Sequence, residues 1–178
     1  MLTGNAVYLR PIRKEDMKSF YMAVQDEELR YMTGTRKAFS MEQLYKHYEQ
    51  ITNDDTRFDF AICLLNSDEL LGDLSILEID QTNQKAGFRI ALHNTNYLNK
   101  GYGTEATKLA LQFTFEKLKL NRLQLEVFSH NIRGIKVYGK VGFKKEGILR
   151  QSLYLNNQYS DEIIMGILKK DYYELKNI

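Results

Sequence analysis

The sequence predicts a mixed α/β fold in one domain spanning residues 1–178: a central, twisted, largely antiparallel sheet flanked by helices. Two observations carry this expectation. Three β-rich runs follow one another in the middle of the chain with only short polar turns between them, which is the pattern of an antiparallel meander. Beyond residue 100 the pattern changes to helix, strand, helix, strand, which is α/β alternation and brings one parallel step into the sheet.

Taken in order, Val7-Tyr8-Leu9-Arg10 reads as a first strand stopped by Pro11, the only proline. Stretches 13–31 and 41–51 read as helices from their apolar spacing. Phe58–Leu65, Leu70–Ile79 and Ala86–Leu92 form the meander, separated by Asn-Ser-Asp and Asp-Gln-Thr-Asn-Gln turns. Thr104 to Lys119 places Ala106, Leu109, Ala110 and Phe113 on one helical face, and Leu123–Phe128 is the strand predicted to lie parallel to Ala86–Leu92. A helix from Ile132 to Val141 carries Ile135 and Tyr138 on one stripe and ends at Gly142, a residue suited to a left-handed cap. Phe143 opens another strand, and Leu149–Leu155 with Glu162–Leu168 reads as a hairpin around Asn156-Asn157-Gln158.

Composition removes several function classes. With 43% hydrophobic and 27% charged residues the chain is globular, neither disordered nor fibrous. A net charge of +2 lacks the basic excess of phosphate-dominated binding, so no nucleic-acid partner is expected. Acids gather in the first half (Asp26, Glu27, Glu28, Asp54, Asp55, Asp68, Glu69, Glu78, Asp80), and Lys and Arg dominate from Lys100 to Arg150. That asymmetry suits a two-ended site, an anionic cofactor at one end and a cationic substrate at the other. Cys63, the single cysteine, lies in the apolar run Phe60–Leu65, so it reads as core and excludes an internal disulfide. No basic leader followed by an apolar run opens the chain, and no stretch approaches the roughly 18 apolar residues of a membrane span; a cytoplasmic protein without a membrane partner is expected. His47, His93 and His130 show no metal-ligand spacing, so no metal is expected. No G-x-S-x-G elbow occurs, which disfavours a covalent acyl-enzyme.

The chemistry concentrates in Leu98-Asn99-Lys100-Gly101-Tyr102-Gly103-Thr104, between a strand and a helix. Glycines there let the backbone turn its N–H groups toward an anion, and the helix N-terminus adds partial positive charge, so a pyrophosphate is the natural ligand. A Walker A loop is excluded because no Gly-Lys-Ser/Thr follows at the required spacing. Gly101-x-Gly103-x-x-Ala106 superficially fits a dinucleotide fingerprint, with Glu126 about 20 residues on. About eight residues separate Leu92 from Gly101, however, where that fold needs its first glycine straight after the strand.

Leu98-x-x-Gly101-x-Gly103 resembles the Arg/Gln-x-x-Gly-x-Gly/Ala signature of the GNAT superfamily of N-acetyltransferases. Asn131-x-Arg133-Gly134-Ile135-x-Val137-Tyr138-x-x-x-Gly142-Phe143 resembles that superfamily's second segment. Leu9-Arg10-Pro11, Glu15-Asp16 and the closing stretch Tyr154–Leu168 are similar to the ribosomal-protein (RimJ/RimL-type) and spermidine acetyltransferase branches, so the resemblance runs over nearly the whole chain. It implies a GNAT fold and a cytoplasmic enzyme that moves acetyl from acetyl-CoA to a primary amine by direct attack. Backbone amides of Asn99, Lys100, Gly101, Tyr102, Gly103 and Thr104 are then expected to hold the pyrophosphate, with Leu98 departing from the usual Arg or Gln. Ile90, Ala91 and Leu92 are expected beside the pantetheine arm, and Asn131 and Lys136 are expected to contact the cofactor, Asn131 also capping its helix.

Tyr138 occupies the family position beside the cofactor sulfur. A phenol, with an ordinary pKa near 10, is protonated at neutral pH and is suited to protonate a departing thiolate. Glu78, closing its strand near the implied amine entry, is the candidate base, and Glu27 and Glu28 beside Tyr31 are candidates for an amine pocket. The acceptor stays open between a polyamine or other small amine and a protein N-terminus, and the sequence is compatible with a homo-oligomer. A non-catalytic CoA-binding regulator is the alternative of another class; Tyr138 argues against it.

Overall fold

A computed structural model describes residues 1–177. Eight strands form one sheet: β1 (Leu2–Thr3), β2 (Val7–Pro11), β3 (Phe58–Leu64), β4 (Leu70–Asp80), β5 (Lys85–Leu92), β6 (Arg122–Phe128), β7 (Lys144–Leu155) and β8 (Gln158–Leu168). The helices are α1 (Met17–Gln25), α2 (Glu27–Thr33), α3 (Met41–Thr52), α4 (Tyr102–Gln112), α5 (Ile132–Lys140) and α6 (Lys169–Lys176). Strand order is β1-β2-β3-β4-β5-β6-β8-β7. All neighbours are antiparallel except β5 and β6, whose parallel pairing requires a crossover, and α4 supplies it. Among the described residues no helix is long and apolar enough to cross a membrane.

Period-two alternation explains how one sheet serves two cores. Val7, Leu9 and Ile62 face a cluster closed by Ala106, Leu109, Ala110 and Phe115 from α4 and the turn after it. Tyr8, Ala61 and Cys63 face the other way, against Met17 and Phe20 of α1 and Leu44 and Ile51 of α3. Cys63 is thus fully buried in a helix-covered core. Burying an aliphatic or aromatic side chain of this kind contributes roughly 1.5–3 kcal/mol, so the two faces hold α4 and the α1–α3 pair firmly against the strands between them.

The elements depart from the sequence expectation where tertiary context decides. Pro11 ends β2 from inside the strand: β1 pairs only as far as Leu9, so a missing N–H at Pro11 leaves no ladder bond broken on that side. The helix expected over residues 13–31 is two helices. Asp26 sits in extended backbone and its carboxylate accepts from the Leu29 amide at 3.0 Å, which ends α1 and caps α2. The helix after the glycine loop begins at Tyr102 and loses α geometry at Phe113, where a π turn over Phe113–Lys117 is closed by Leu118 N–H donating to the Phe113 carbonyl. After α5, Gly142 adopts φ +109 and Phe143 N–H donates to the Tyr138 carbonyl, the cap expected there. The hairpin is longer than expected, β7 opening at Lys144; Asn156 and Asn157 turn it with φ of 53 and 59°.

Candidate active site

The site begins where the parallel pair opens. β5 and β6 are in register only at Lys85↔Arg122, Ala86↔Leu123 and Gly87↔Gln124, whereas β6 stays paired to β8 as far as Phe128. From Phe88 onward the β6-facing edge of β5 has no ladder partner, and a cleft of ≈ 690 Å³ occupies the opening. A smaller hollow of ≈ 120 Å³ continues it toward α4 and α5. Ile90, Ala91, Leu92, Asn131 and Tyr138 line both, so the two form one channel through the sheet.

At its narrow end the channel meets the glycine loop. Asn99 and Gly101 take positive φ, 61 and 84°, which swings successive amides to one side. No backbone carbonyl among the described residues accepts from the amides of Asn99 to Thr104; the first helical bond is Glu105 N–H to the Gly101 carbonyl. A Cβ added to Gly101 or Gly103 would meet nothing within 4 Å. The conformation explains glycine at Gly101. At Gly103, where φ is ordinary, the position of a Cβ is open space. Leu98 and Gly103 line the smaller hollow, and Lys100 and Lys136 are exposed.

Tyr138, 8% exposed, stands on α5 where the hollows meet. Its ring packs edge-on to Phe88 and Phe143, at 6.5 and 6.0 Å between centroids. Burial pushes its phenol up to about 12, against a smaller opposing pull from the Arg89 guanidinium. The hydroxyl has no protein hydrogen-bond partner among the described residues, and no completely enclosed polar side-chain atom lacks one, so the hydroxyl reaches the channel. Asn131 caps α5, its Oδ1 accepting from the Gly134 amide at 2.9 Å; a Cβ at Gly134 would press on that side chain at 2.8 Å.

The wide end faces α1, α2 and α3. Asp73, 2% exposed in the middle of β4, accepts from Arg89 Nη2 at 2.6 Å and from His93 Nε2 at 2.7 Å. His93 Nδ1 lies 2.7 Å from Ser19 Oγ; in the neutral tautomer it accepts from that hydroxyl. Burial alone would raise the Asp73 carboxyl, but the Arg89 charge and then the His93 hydrogen bond hold it below the usual carboxylate value. His47 opens on the same cleft, and its imidazole is held below its ordinary value by the surrounding protein and by the Arg57 and Arg89 cations. Glu126 on β6 lines the cleft with its carboxyl pushed up, by burial and then by Glu162 and Glu78.

The substrate-side expectations fall differently. Glu78 lies in the bulge between Leu77 and Asp80 with φ 52°; like Glu126 it is exposed, but it is not among the residues lining the cleft. Glu27 and Glu28 sit in the first turn of α2 and are exposed, because α2 presents Leu29, Met32 and Thr33 to the cleft. Tyr31 points away from it: its ring stacks on His130 at 4.0 Å and its carbonyl accepts from His130 Nε2 at 2.6 Å, docking α2 on the loop after β6. Sequence reasoning missed Asp73, Arg89, His93 and Glu126 as cleft residues. For Asp73, Arg89 and Glu126 the signal was charge inside a strand, with Asp73 and Ser75 two apart on one face of β4, Arg89 on β5 and Glu126 on β6; His93 follows directly after β5.

Comparison with known proteins identifies the architecture. The family model described as "Acetyltransferase (GNAT) domain" matches residues 6–144. The SPbeta prophage-derived uncharacterized N-acetyltransferase YokL of Bacillus subtilis (strain 168) is 30% identical over 173 residues, covering 96% of this chain and 94% of that protein. The spermidine N(1)-acetyltransferase of Escherichia coli (strain K12) is 28% identical over 173 residues, covering 97% and 91%. The crystal structure of spermidine N-acetyltransferase from Vibrio cholerae in complex with CoA and spermine shares the fold at a TM-score of 0.87 and 23% identity, over 94% of this chain and 98% of that one.

The splayed sheet with its glycine-loop helix is the GNAT fold, and the chain belongs to the GNAT acetyltransferase family. It is an acetyl-CoA-dependent N-acetyltransferase.

Proposed function

We propose that the acceptor is a small molecule bearing a primary amine, that it attacks directly inside the channel, and that Tyr138 is the general acid. The observation that carries this reading is the Tyr138 hydroxyl: a protonated phenol without a protein partner, where the two hollows join. The spermidine acetyltransferase relatives make polyamines the first acceptors to try.

The residues fit the donor. Six amides from Asn99 to Thr104 without backbone acceptors, open space over Gly101 and Gly103 and the N-terminus of α4 suit a pyrophosphate. Ile90, Ala91 and Leu92, on the unpaired edge of β5, suit an extended pantetheine arm. Acetyl-CoA bound there supplies an acetyl thioester whose C–S bond breaks as the N–C bond to the acceptor forms. Tyr138 gives its proton to the leaving sulfur, the acylated nitrogen sheds its extra proton to solvent, and Tyr138 regains one from there. Glu126 replaces Glu78 as the group that takes the ammonium proton, because Glu126 lines the cleft and its carboxyl is pushed up from its ordinary value by burial, Glu162 and Glu78. Glu78 acts on it as a like charge.

The test is a screen for amine-dependent thiol release from acetyl-CoA, with spermidine, putrescine, amino acids, aminoglycosides and N-terminal peptides, and mass detection of the acetylated product. Release with a small amine and recovery of its amide is the expected result. Acetylation confined to peptide N-termini, or thiol release without any amide, would overturn the reading.

A further inference from the structure

Charge on the acceptor side of the cleft is divided in a way a plain polycation site does not need. Arg30 and Arg89 line it, and so do the carboxylates of Asp73 and Glu126. Asp73 is buried and already engaged by Arg89 and His93, so it cannot receive an incoming ammonium. Its role is to hold Arg89. The chain Ser19–His93–Asp73 fixes the buried carboxylate, and the carboxylate takes one nitrogen of the guanidinium, Nη2 at 2.6 Å. The Arg89 side chain is 44% exposed, and no other protein acceptor among the described residues meets its remaining N–H groups. A guanidinium anchored at one nitrogen and open at the others is a preformed donor fork for an anion. Across the opening, Glu126 on β6 is the one cleft carboxylate without a cation. Arg89 and Glu126 lie on neighbouring strands, two residues beyond the last paired positions, Gly87↔Gln124.

We infer that the acceptor is an amino-carboxylate, a molecule of the amino-acid class whose carboxylate is taken by Arg89 while its amine faces Glu126. The inference rests on the amine-acetylation reading above and narrows it. A long polycation meets two guanidiniums and one free carboxylate, an unfavourable balance. A zwitterion pairs with both free groups at once.

The experiment compares a panel of L-amino acids, lysine and ornithine included, each with its carboxamide and its decarboxylated amine, and with spermidine, by kcat/KM under saturating acetyl-CoA. The wild type is expected to favour the carboxylate form over both counterparts by roughly tenfold or more, the scale of one charge-assisted hydrogen-bonded pair. Arg89→Gln should collapse the carboxylate-to-carboxamide ratio toward one. Because that change strips a cation from buried Asp73 and can cost folding, Arg89→Lys is run beside it: it keeps the charge, loses the fork and should leave an intermediate ratio. A carboxamide, diamine or spermidine used as well as the amino acid, or a preference that survives intact in a folded Arg89→Gln, overturns the inference. Acetylation of no amine at all would instead sink the amine reading on which it stands.

Discussion

At the scale of single residues, Tyr138 is worth separating into its ring and its hydroxyl. The ring packs between Phe88 and Phe143, a structural role that Tyr138→Phe keeps, and only the hydroxyl reaches the channel. The proposed acid works in the transition state, so its loss should lower kcat by about 10²–10⁴-fold with little change in KM. Turnover within about threefold of wild type would leave Tyr138 as packing alone. With the phenol pushed up to about 12 by burial, kcat should show no alkaline decline across the ordinary assay range. With Glu126 as the proposed base, the acidic limb is expected to follow its carboxyl, which is raised by burial, Glu162 and Glu78. Transfer should therefore rise with pH through a midpoint above the ordinary carboxylate value, and Glu126→Gln should slow it and remove that limb. Glu78→Gln should only shift the midpoint down, since it removes one like charge acting on the base. An unaltered pH profile in Glu126→Gln, or a larger rate loss in Glu78→Gln, would return the base role to Glu78.

At the scale of elements, the N-terminus of α4 separates a conformational glycine from one that makes room. Gly101 needs its left-handed backbone, so any substitution there is confounded by strain. Gly103 has ordinary φ and open space where a Cβ would go, so Gly103→Val should fold normally and fail only toward the donor. Its KM for acetyl-CoA is expected to rise at least about tenfold, the loss of little more than one charge-assisted hydrogen bond. Unchanged donor affinity in a folded variant would remove the loop from the binding site. This loop was legible in the sequence because its demands are local: positive φ, missing Cβ, a helix start. So were the strands whose alternation faces two cores, and the α5 cap at Gly142. The break at Asp26 was not, because a capping Asp inside an apolar period looks like one polar residue on a helix surface. The helix α6 escaped for the opposite reason: Lys169–Lys176 is so polar that its helicity depends on packing Tyr172 against Phe115. The set Ser19, Asp73, Arg89 and His93 escaped because its members lie up to 74 residues apart and meet only when β4, β5 and α1 stack. Glu78 looked like a strand-end acid near the amine, and the bulge in which it lies leaves no mark in composition.

At the scale of the whole molecule, ion pairs tie the elements together, and the depressed carboxyls among them link stability to pH with one sign. Arg10 grips Asp16 through two nitrogens at 2.7 and 2.8 Å; burial raises that carboxyl, but the Arg10 hydrogen bonds outweigh it. Asp73 is held low in the same way by Arg89 and His93, and Arg122 holds Glu146 low across β6 and β7. A carboxyl whose folded pKa is depressed stabilises the fold above its unfolded value, about 4, and loses that contribution as pH falls through the folded value. His47 acts in the same direction from a higher starting point: its imidazole is depressed in the fold, so acidification below about 6.5 charges the unfolded chain first. Lys144, raised mainly by its hydrogen bond to Asp171, loses its contribution only on the alkaline side, and being exposed it adds little. Stability should therefore be flat from neutrality into mild alkali, fall shallowly below about pH 6.5 as one proton is taken up, and fall steeply near and below pH 4. Each proton bound preferentially by the unfolded chain costs about 1.4 kcal/mol per pH unit. Urea midpoints followed by circular dichroism across that range measure the slopes, and His47→Gln should erase the shallow limb while leaving the steep one. A midpoint that stays level down to pH 4 in the wild type would mean that His47 is as free to protonate in the folded protein as in the unfolded chain, and that the cleft exerts no hold on it.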